Sequence, residues 1–304
     1  MTSAPLERAL KVMGSRAVIV VHGGTEAMLD SAEERLHQLE SLWSRFRQDS
    51  DVTRANRAAG TPVVVHEDTL AIVRRAVDGW QQTTGRFDIT TLPALLAAGY
   101  THSTVDDSPA PQLAATRGGV CGLVRLDYAE STITVPEGAA IDLGGIGKGF
   151  AADIVAEELI EAGATGALVN LGGDITALGT PSDNNIWVLG IEDPRHAPDH
   201  VAVFRLEHGG VATSGTTVRH WTNSDGTRAH HVIDPATALP AAHGITTATV
   251  IANDTATAEV FATAAMMLSG DDAVAMLEGV KLAGLVVTDD GRVLRTATLK
   301  DFEL

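Results

Sequence analysis

The chain has 304 residues, 44% of them apolar, enough to bury a sizeable core in one large domain or two small ones. Lysine and arginine number 22 against 39 aspartates and glutamates, and the net charge of −17 argues against a nucleic-acid surface or an anionic membrane. Small molecules and proteins remain as partners. A single cysteine, Cys121, excludes an internal disulfide and a thiolate metal cluster and reads as a small buried apolar residue. The opening MTSAPLERALKVMG has no basic flank ahead of a long apolar run and no lipid-attachment cysteine, and no window reaches the roughly 20 apolar residues of a membrane span. The expectation is a cytoplasmic protein without a membrane anchor.

In chain order, SRAVIVVH at 15–22 predicts a strand. Leu29, Ala32, Leu36, Leu39, Trp43 and Phe46 then recur at helical spacing and predict a long amphipathic helix whose apolar face includes Phe46. A second helix is predicted over 67–84, opened by Glu67 and Asp68 and stopped at Gly85. LVRLDYAESTITVPEG predicts two short strands around a polar turn, and a helix is expected from about 148 to 162. GALVNLGGDITALG predicts one strand and NNIWVLGIEDP another, and the chain stays strand-rich to about 251. A helix near 255–268 follows the capping residues Asn253 and Asp254, and LAGLVVTDDGRVLRTATL predicts a hairpin turning at Asp290 and Gly291. Strands and helices without regular βαβ alternation imply an α+β fold. No repeat, low-complexity linker or break in composition divides the chain. A single domain over 1–304 is expected, with room for two closely packed subdomains.

The stretch IDLGGIGKGFAAD at 141–153 invites two familiar readings and satisfies neither. A nucleotide P-loop needs GxxxxGK[ST]; here Gly147 and Lys148 are followed by Gly149, and Asp142 stands where the first glycine belongs. The dinucleotide fingerprint GxGxxG fails at Phe150. What survives is a glycine-rich strand-to-helix turn in which Lys148 and a helix N-terminus attract an anion, with a tight turn and a solvated lysine as the plain alternative. Glu259 and Thr263 lie one helical turn apart, a carboxylate and a hydroxyl on one face that suit magnesium, against an exposed glutamate beside a local threonine. HHVIDP places His231 close to Asp234, either a general base or a loop hydrogen bond. VATSG at 211–215 is a small-residue turn with two hydroxyls, and ALVNLGGDI ends in a glycine pair and Asp174.

Taken together, MGS at 13–15, SRFRQDSDVTRAN, GRFDITTLP, DLGGIGKGFAAD, LVNLGGDI, GIEDP at 190–194, ATSG and HHVIDPATALP resemble the ApbE family of FAD:protein FMN transferases, in family order over most of the chain. The resemblance implies an α+β architecture of mixed sheets and packed helices, related to the T-fold. It implies an enzyme that binds FAD with Mg²⁺, cleaves it, releases AMP and attaches FMN by a phosphoester to a serine or threonine of a target flavoprotein. Some members hydrolyse FAD to FMN and AMP instead, and a non-catalytic FAD-binding protein is the third reading. By the same resemblance Met13, Phe46, Arg86, Phe87, Asp88, Asp142 and Lys148 contact FAD. The Gly145 carbonyl, Glu259 and Thr263 hold the metal, and His231 serves transfer. Two departures stand out: Glu259 replaces the usual aspartate, one methylene shorter, and Ala238 replaces a usual glycine, which matters if that backbone needs a positive φ.

Overall fold

In the computed structural model, which describes residues 4–103, 108–181 and 186–304, the chain forms two compact units. The first comprises the chain up to His37, Lys148–Gly215 and His243–Leu304, and the second comprises Gln38–Gly147 and Thr216–Ala242. The described residues hold seven α-helices: α1 (Glu26–Trp43), α2 (Asp51–Arg57), α3 (Glu67–Gln82), α4 (Leu92–Ala97), α5 (Gly147–Glu161), α6 (Thr255–Ala265) and α7 (Gly270–Gly279). None is long and apolar enough to cross a membrane.

The first unit is built on an eight-stranded antiparallel sheet. Its strands, β1 (Leu6–Val12), β2 (Ser15–His22), β3 (Gly166–Leu171), β4 (Asp174–Gly179), β5 (Gly209–Gly215), β6 (Ile245–Ala252), β7 (Ala283–Thr288) and β8 (Val293–Arg295), lie side by side in chain order. Strands adjacent in the chain are thus adjacent in the sheet, some joined by tight turns and others, such as β2 (ending at His22) and β3 (beginning at Gly166), by long excursions. β7 is buried at every position, the pattern of a strand covered on both faces. Val211, Ile251, Leu285 and Val287 pack with Trp187, Leu189, Phe204 and Leu206 of a separate hairpin, Trp187–Glu192 paired with His200–Leu206. α6 lies against β5 and β6, and α7 against β7.

In the second unit α2 begins at Ser50, whose side chain accepts from Thr53 N, and α3 begins at His66, whose ring accepts from Asp68 N. Gly85 ends α3 at φ +83°, its N–H on the Trp80 carbonyl. The short strands Arg125–Asp127 and Thr132–Thr134 pair as expected.

The structure departs from the sequence reading in four places. β1 was not expected, because Arg8 interrupts the inward face that Leu6, Leu10 and Val12 otherwise make apolar. The segment 166–179 is a hairpin, since Gly172 and Gly173 both take positive φ and reverse the chain. α1 stops at Trp43, which leaves Phe46 beyond its end and off the helix's apolar face. α2, α4 and α7 are short and escaped a reading based on long periodicity. The start of NNIWVLGIEDP, Asn184 and Asn185, lies outside the described residues.

Candidate functional site

In the first unit the glycine-rich stretch ends at the N-terminus of α5, where Lys148 is the second residue of the helix. Its ammonium donates to Glu259 Oε1 at 2.5 Å and to Asp174 Oδ2. The other Glu259 oxygen accepts the Gly149 backbone N–H at 2.8 Å, so a carboxylate meets both an ammonium and a helix N-terminus. Asp174 Oδ1 accepts from Thr213 N at 3.3 Å. Both carboxylates are nearly inaccessible, with side chains 4% and 3% exposed.

These helices meet because the residues between them permit it. A Cβ at Gly149 would lie 2.6 Å from the Thr255 carbonyl, so only glycine lets α5 approach the start of α6. One turn along α5, Asp153 accepts from Thr255 N and Ala256 N, each at 2.9 Å, and from Thr176 Oγ1 at 2.7 Å. A carboxylate of one helix thus caps the next, alongside the Asp254 cap on Thr257 N. The capped start of α6 sets where Glu259, one turn further on, falls. One turn beyond that, the Thr263 and Ser214 hydroxyls meet at 3.1 Å.

Charge decides the chemistry of this cluster. Two buried carboxyls share one ammonium, so with both ionised one negative charge is in excess. Burial pushes the Glu259 carboxyl well above the usual carboxylate range; Lys148 opposes the shift and Asp174 adds to it. Asp153 is pushed up to about 6, again by burial, against the hydrogen bonds that favour its charged form. Met13 and Gly14 form the two-residue turn between β1 and β2, with φ of +51° and +70°, the primed geometry of tight hairpins. That turn lies at the same end of the sheet as Gly172, Asp174 and Ser214; Gly172 N donates to the Arg16 carbonyl at 3.0 Å.

In the second unit, Asn56 of α2 accepts from Ile141 N at 2.7 Å and donates to Ile141 O at 2.9 Å, which pins the backbone just before Asp142. Asp142 Oδ1 accepts from Gly144 N at 2.6 Å and Oδ2 meets Arg45 Nε at 2.7 Å. Gly145 lies half-buried in the turn that follows. The Arg45 guanidinium sits 4.1 Å over the Phe46 ring and 4.8 Å over Tyr100. Tyr100 stacks on Trp221 with centroids 5.5 Å apart, and Trp221 Nε1 donates to the Ala98 carbonyl at 2.7 Å. Arg45 Nη1 is buried with no hydrogen-bond partner among the described residues, and Arg45 borders a cavity of about 10 Å³ also lined by Thr53, Asn56 and Leu92.

The remaining expected residues divide by exposure. Phe87 is 3% exposed and belongs to the interior. Asp88 turns inward as a cap, accepting from Thr90 N at 2.6 Å and Cys121 N at 3.3 Å, and burial raises its pKa. Arg86 donates to the Thr83 carbonyl at 3.2 Å. Half-buried His231 directs Nδ1 at the Arg219 carbonyl at 3.3 Å; a carbonyl only accepts, so Nδ1 donates there, and in the neutral ring Nε2 is then the acceptor. Asp234 accepts from Ala236 N, and Ala238 takes φ +57°, the left-handed conformation its glycine-like position demands.

The expected residues Lys148 and Glu259 are therefore in contact, with Thr263 one turn away. Asp174, Ser214, Arg45, Tyr100 and Trp221 were not among the expected site residues. Asp174 and Ser214 had a signal, a polar residue directly after a glycine pair and a hydroxyl in a small-residue strand; Tyr100 and Trp221 had none. No cluster of three or more His, Cys, Asp or Glu able to hold a metal occurs among the described residues, so any metal here draws on hydroxyls or carbonyls as well. The donors present, Glu259, Asp174, Thr263 and Ser214, are hard oxygens, and their excess negative charge fits Mg²⁺.

Comparison with known proteins bears on this geometry. The family model described as "ApbE family" matches residues 13–286. The FAD:protein FMN transferase of Treponema pallidum is 31% identical, with the match covering 96% of this chain and 84% of that protein. The FAD:protein FMN transferase of Haemophilus influenzae is 28% identical over 90% of this chain and 82% of its own. Among solved structures, the ApbE protein of Thermotoga maritima superposes with a TM-score of 0.88 at 28% identity, covering 99% of both chains. The apo flavinyl transferase ApbE of Pseudomonas stutzeri has a TM-score of 0.82 at 25% identity, covering 99% of this chain and 97% of that one.

Proposed function

The chain belongs to the ApbE family, and from that premise we propose that it is a Mg²⁺-dependent FAD:protein FMN transferase. The names of its relatives support the reaction class. The single observation that carries the reading is the Lys148, Asp174 and Glu259 cluster at the N-terminus of α5, in which two carboxyls meet one ammonium and a divalent cation would favour the ionised form of both. Glu259 and Thr263, with the Gly145 carbonyl, are the proposed metal ligands. When bound, the metal supplies charge neutralisation on the diphosphate of FAD.

The chain's own groups supply the rest. The Lys148 ammonium and the α5 N-terminus attract a diphosphate. Phe46, held by Arg45 and half-buried, offers an aromatic ring suited to a planar heterocycle, with Tyr100 and Trp221 stacked behind Arg45. Met13, Asp142 and Arg86 remain proposed FAD contacts; Phe87 and Asp88 act from beneath, through packing and capping. His231 Nε2 accepts the proton of the serine or threonine hydroxyl of a target flavoprotein. The hydroxyl oxygen then bonds to the FMN phosphorus, the bond from that phosphorus to the bridging oxygen breaks, and AMP departs with the bridging oxygen.

The test is incubation with FAD, Mg²⁺ and a flavoprotein acceptor, read by intact-protein mass spectrometry and AMP release. A gain of one FMN on the acceptor with equimolar AMP is expected. Free FMN with AMP makes the protein a FAD pyrophosphatase, and intact FAD makes it a binding protein; either result overturns the transferase reading.

A further inference from the structure

Lys148 reaches between Asp174 and Glu259, and its ammonium is bonded to both. Glu259 Oε2 is held by a backbone N–H of α5, a donor that cannot move without unwinding the helix. The other oxygen, Oε1, meets the Lys148 ammonium, itself a cation. Unlike the amide, the lysine can leave: its stem has four rotatable carbons, its side chain is 16% exposed, and its charge is a compact, strongly hydrated point. Glutamate at 259 matters here, because its extra methylene lengthens the reach from α6 toward the ammonium.

We infer that Lys148 is a built-in stand-in for the divalent cation, occupying the carboxylate oxygens of Glu259 and Asp174 until cation and diphosphate exchange places with it. The inference rests on the proposal that a metal and a diphosphate bind here, and it adds an order and a coupling. A cation that takes Glu259 Oε1 displaces the ammonium, which then faces the anionic substrate. Conversely, a diphosphate that draws Lys148 away uncovers the carboxylates. Each ligand removes a competitor of the other, so their affinities rise together. Lys148 is thus a positioning residue for the metal as well as a contact for the substrate. The contact also keeps two buried carboxylates paired when no ligand is bound, where an unpaired buried charge would destabilise the fold.

The experiment uses the full chain and needs no turnover. Calorimetric titration of Mg²⁺ alone is expected to show at least tenfold tighter binding in Lys148→Met than in the wild type. Loss of a distant positive charge, tested with Lys300→Met on the exposed turn Ala297–Asp301, is expected to change the affinity less than twofold. In the wild type, the ¹⁵N-lysine side-chain resonance of Lys148, assigned by its loss in the charge-conserving Lys148→Arg, should shift on saturation with Mg²⁺ and, separately, on adding metal-free inorganic pyrophosphate. An unchanged or weaker Mg²⁺ affinity in Lys148→Met, an equal gain in Lys300→Met, or a Lys148 resonance that stays in place at saturating Mg²⁺ would overturn the inference. The resonance arm stands even if the Met variant does not fold. FAD cleavage with an unmoved Lys148 resonance refutes the stand-in role and leaves the function intact; a moving resonance without FAD cleavage does the reverse.

Discussion

The two units solve opposite problems with a buried positive charge. In the first, one ammonium serves two carboxylates, and helix N–H groups and hydroxyls complete the set. In the second, one guanidinium meets one carboxylate, Asp142, and spreads its flat face over Phe46 and Tyr100. Lysine suits the first setting because a point charge on a flexible stem can let go. Arginine suits the second because its rigid plane stacks on rings while its edge keeps a carboxylate and the Tyr100 carbonyl. A charge meant to be exchanged and a charge meant to hold a surface in place thus call for different residues.

Four changes test that contrast, in order of expected effect. Glu259→Ala removes the carboxylate at the α5 N-terminus and is expected to lower FAD turnover by roughly 10²- to 10³-fold, about 3–4 kcal/mol of barrier, measured as AMP release. Glu259→Asp is expected to retain more activity than Glu259→Ala at raised Mg²⁺; equal activity of both variants and the parent would remove Glu259 from the ligand set.

Arg45→Met should destabilise the protein by about 3 kcal/mol in urea denaturation, because Asp142 loses its partner and two rings lose their cation. A change below about 1 kcal/mol would mark the pair as ornamental and erase the contrast with Lys148.

The third change is in pH. The Asp153 carboxyl has its pKa raised from 3.8 to about 6 in the folded state, so between those values the native protein holds a proton the unfolded chain has lost. Stability from this group is full below about pH 4 and is lost as pH rises through 6, by up to about 3 kcal/mol. The difference in Tm between wild type and Asp153→Asn should therefore move against the wild type from pH 4.5 to pH 7. A constant difference would show that the capping carboxylate does not titrate there.

The smallest effect is Ala238→Gly, which relieves a non-glycine residue at φ +57° and is expected to stabilise by about 1 kcal/mol, read as a rise in Tm. It affects neither charge cluster, so FAD turnover should be unchanged.

Much of this was legible in the chain. Helical spacing located α1, α3, α5 and α6 to within a few residues, and Asp254 was read correctly as a cap. The proposed residues Lys148, Glu259 and Thr263 came from ordered motifs, and Ala238 was flagged for a positive φ that it does adopt. Periodicity failed at Phe46, because an apolar residue at the right spacing continues a helical pattern on paper whether or not the helix does. It failed at 166–179 because a short apolar run interrupted by glycines reads as one strand until pairing shows two.

The sequence by itself determined the longer helices, several of the strands, the family, and Lys148 and Glu259 among the charged residues, because these rest on local spacing and on motifs a few residues long. Tertiary structure alone decided that Lys148 shares its charge between Asp174 and Glu259, that Asp153 caps a helix other than its own, and that Tyr100 stacks on Trp221. Those pairings join residues far apart in the chain, and their energies depend on burial, which no local pattern encodes. IDLGGIGKGFAAD carries the same lesson: it fails both nucleotide motifs as a string, yet Gly149 is there so that α6 can come close enough for Glu259 to reach the helix end.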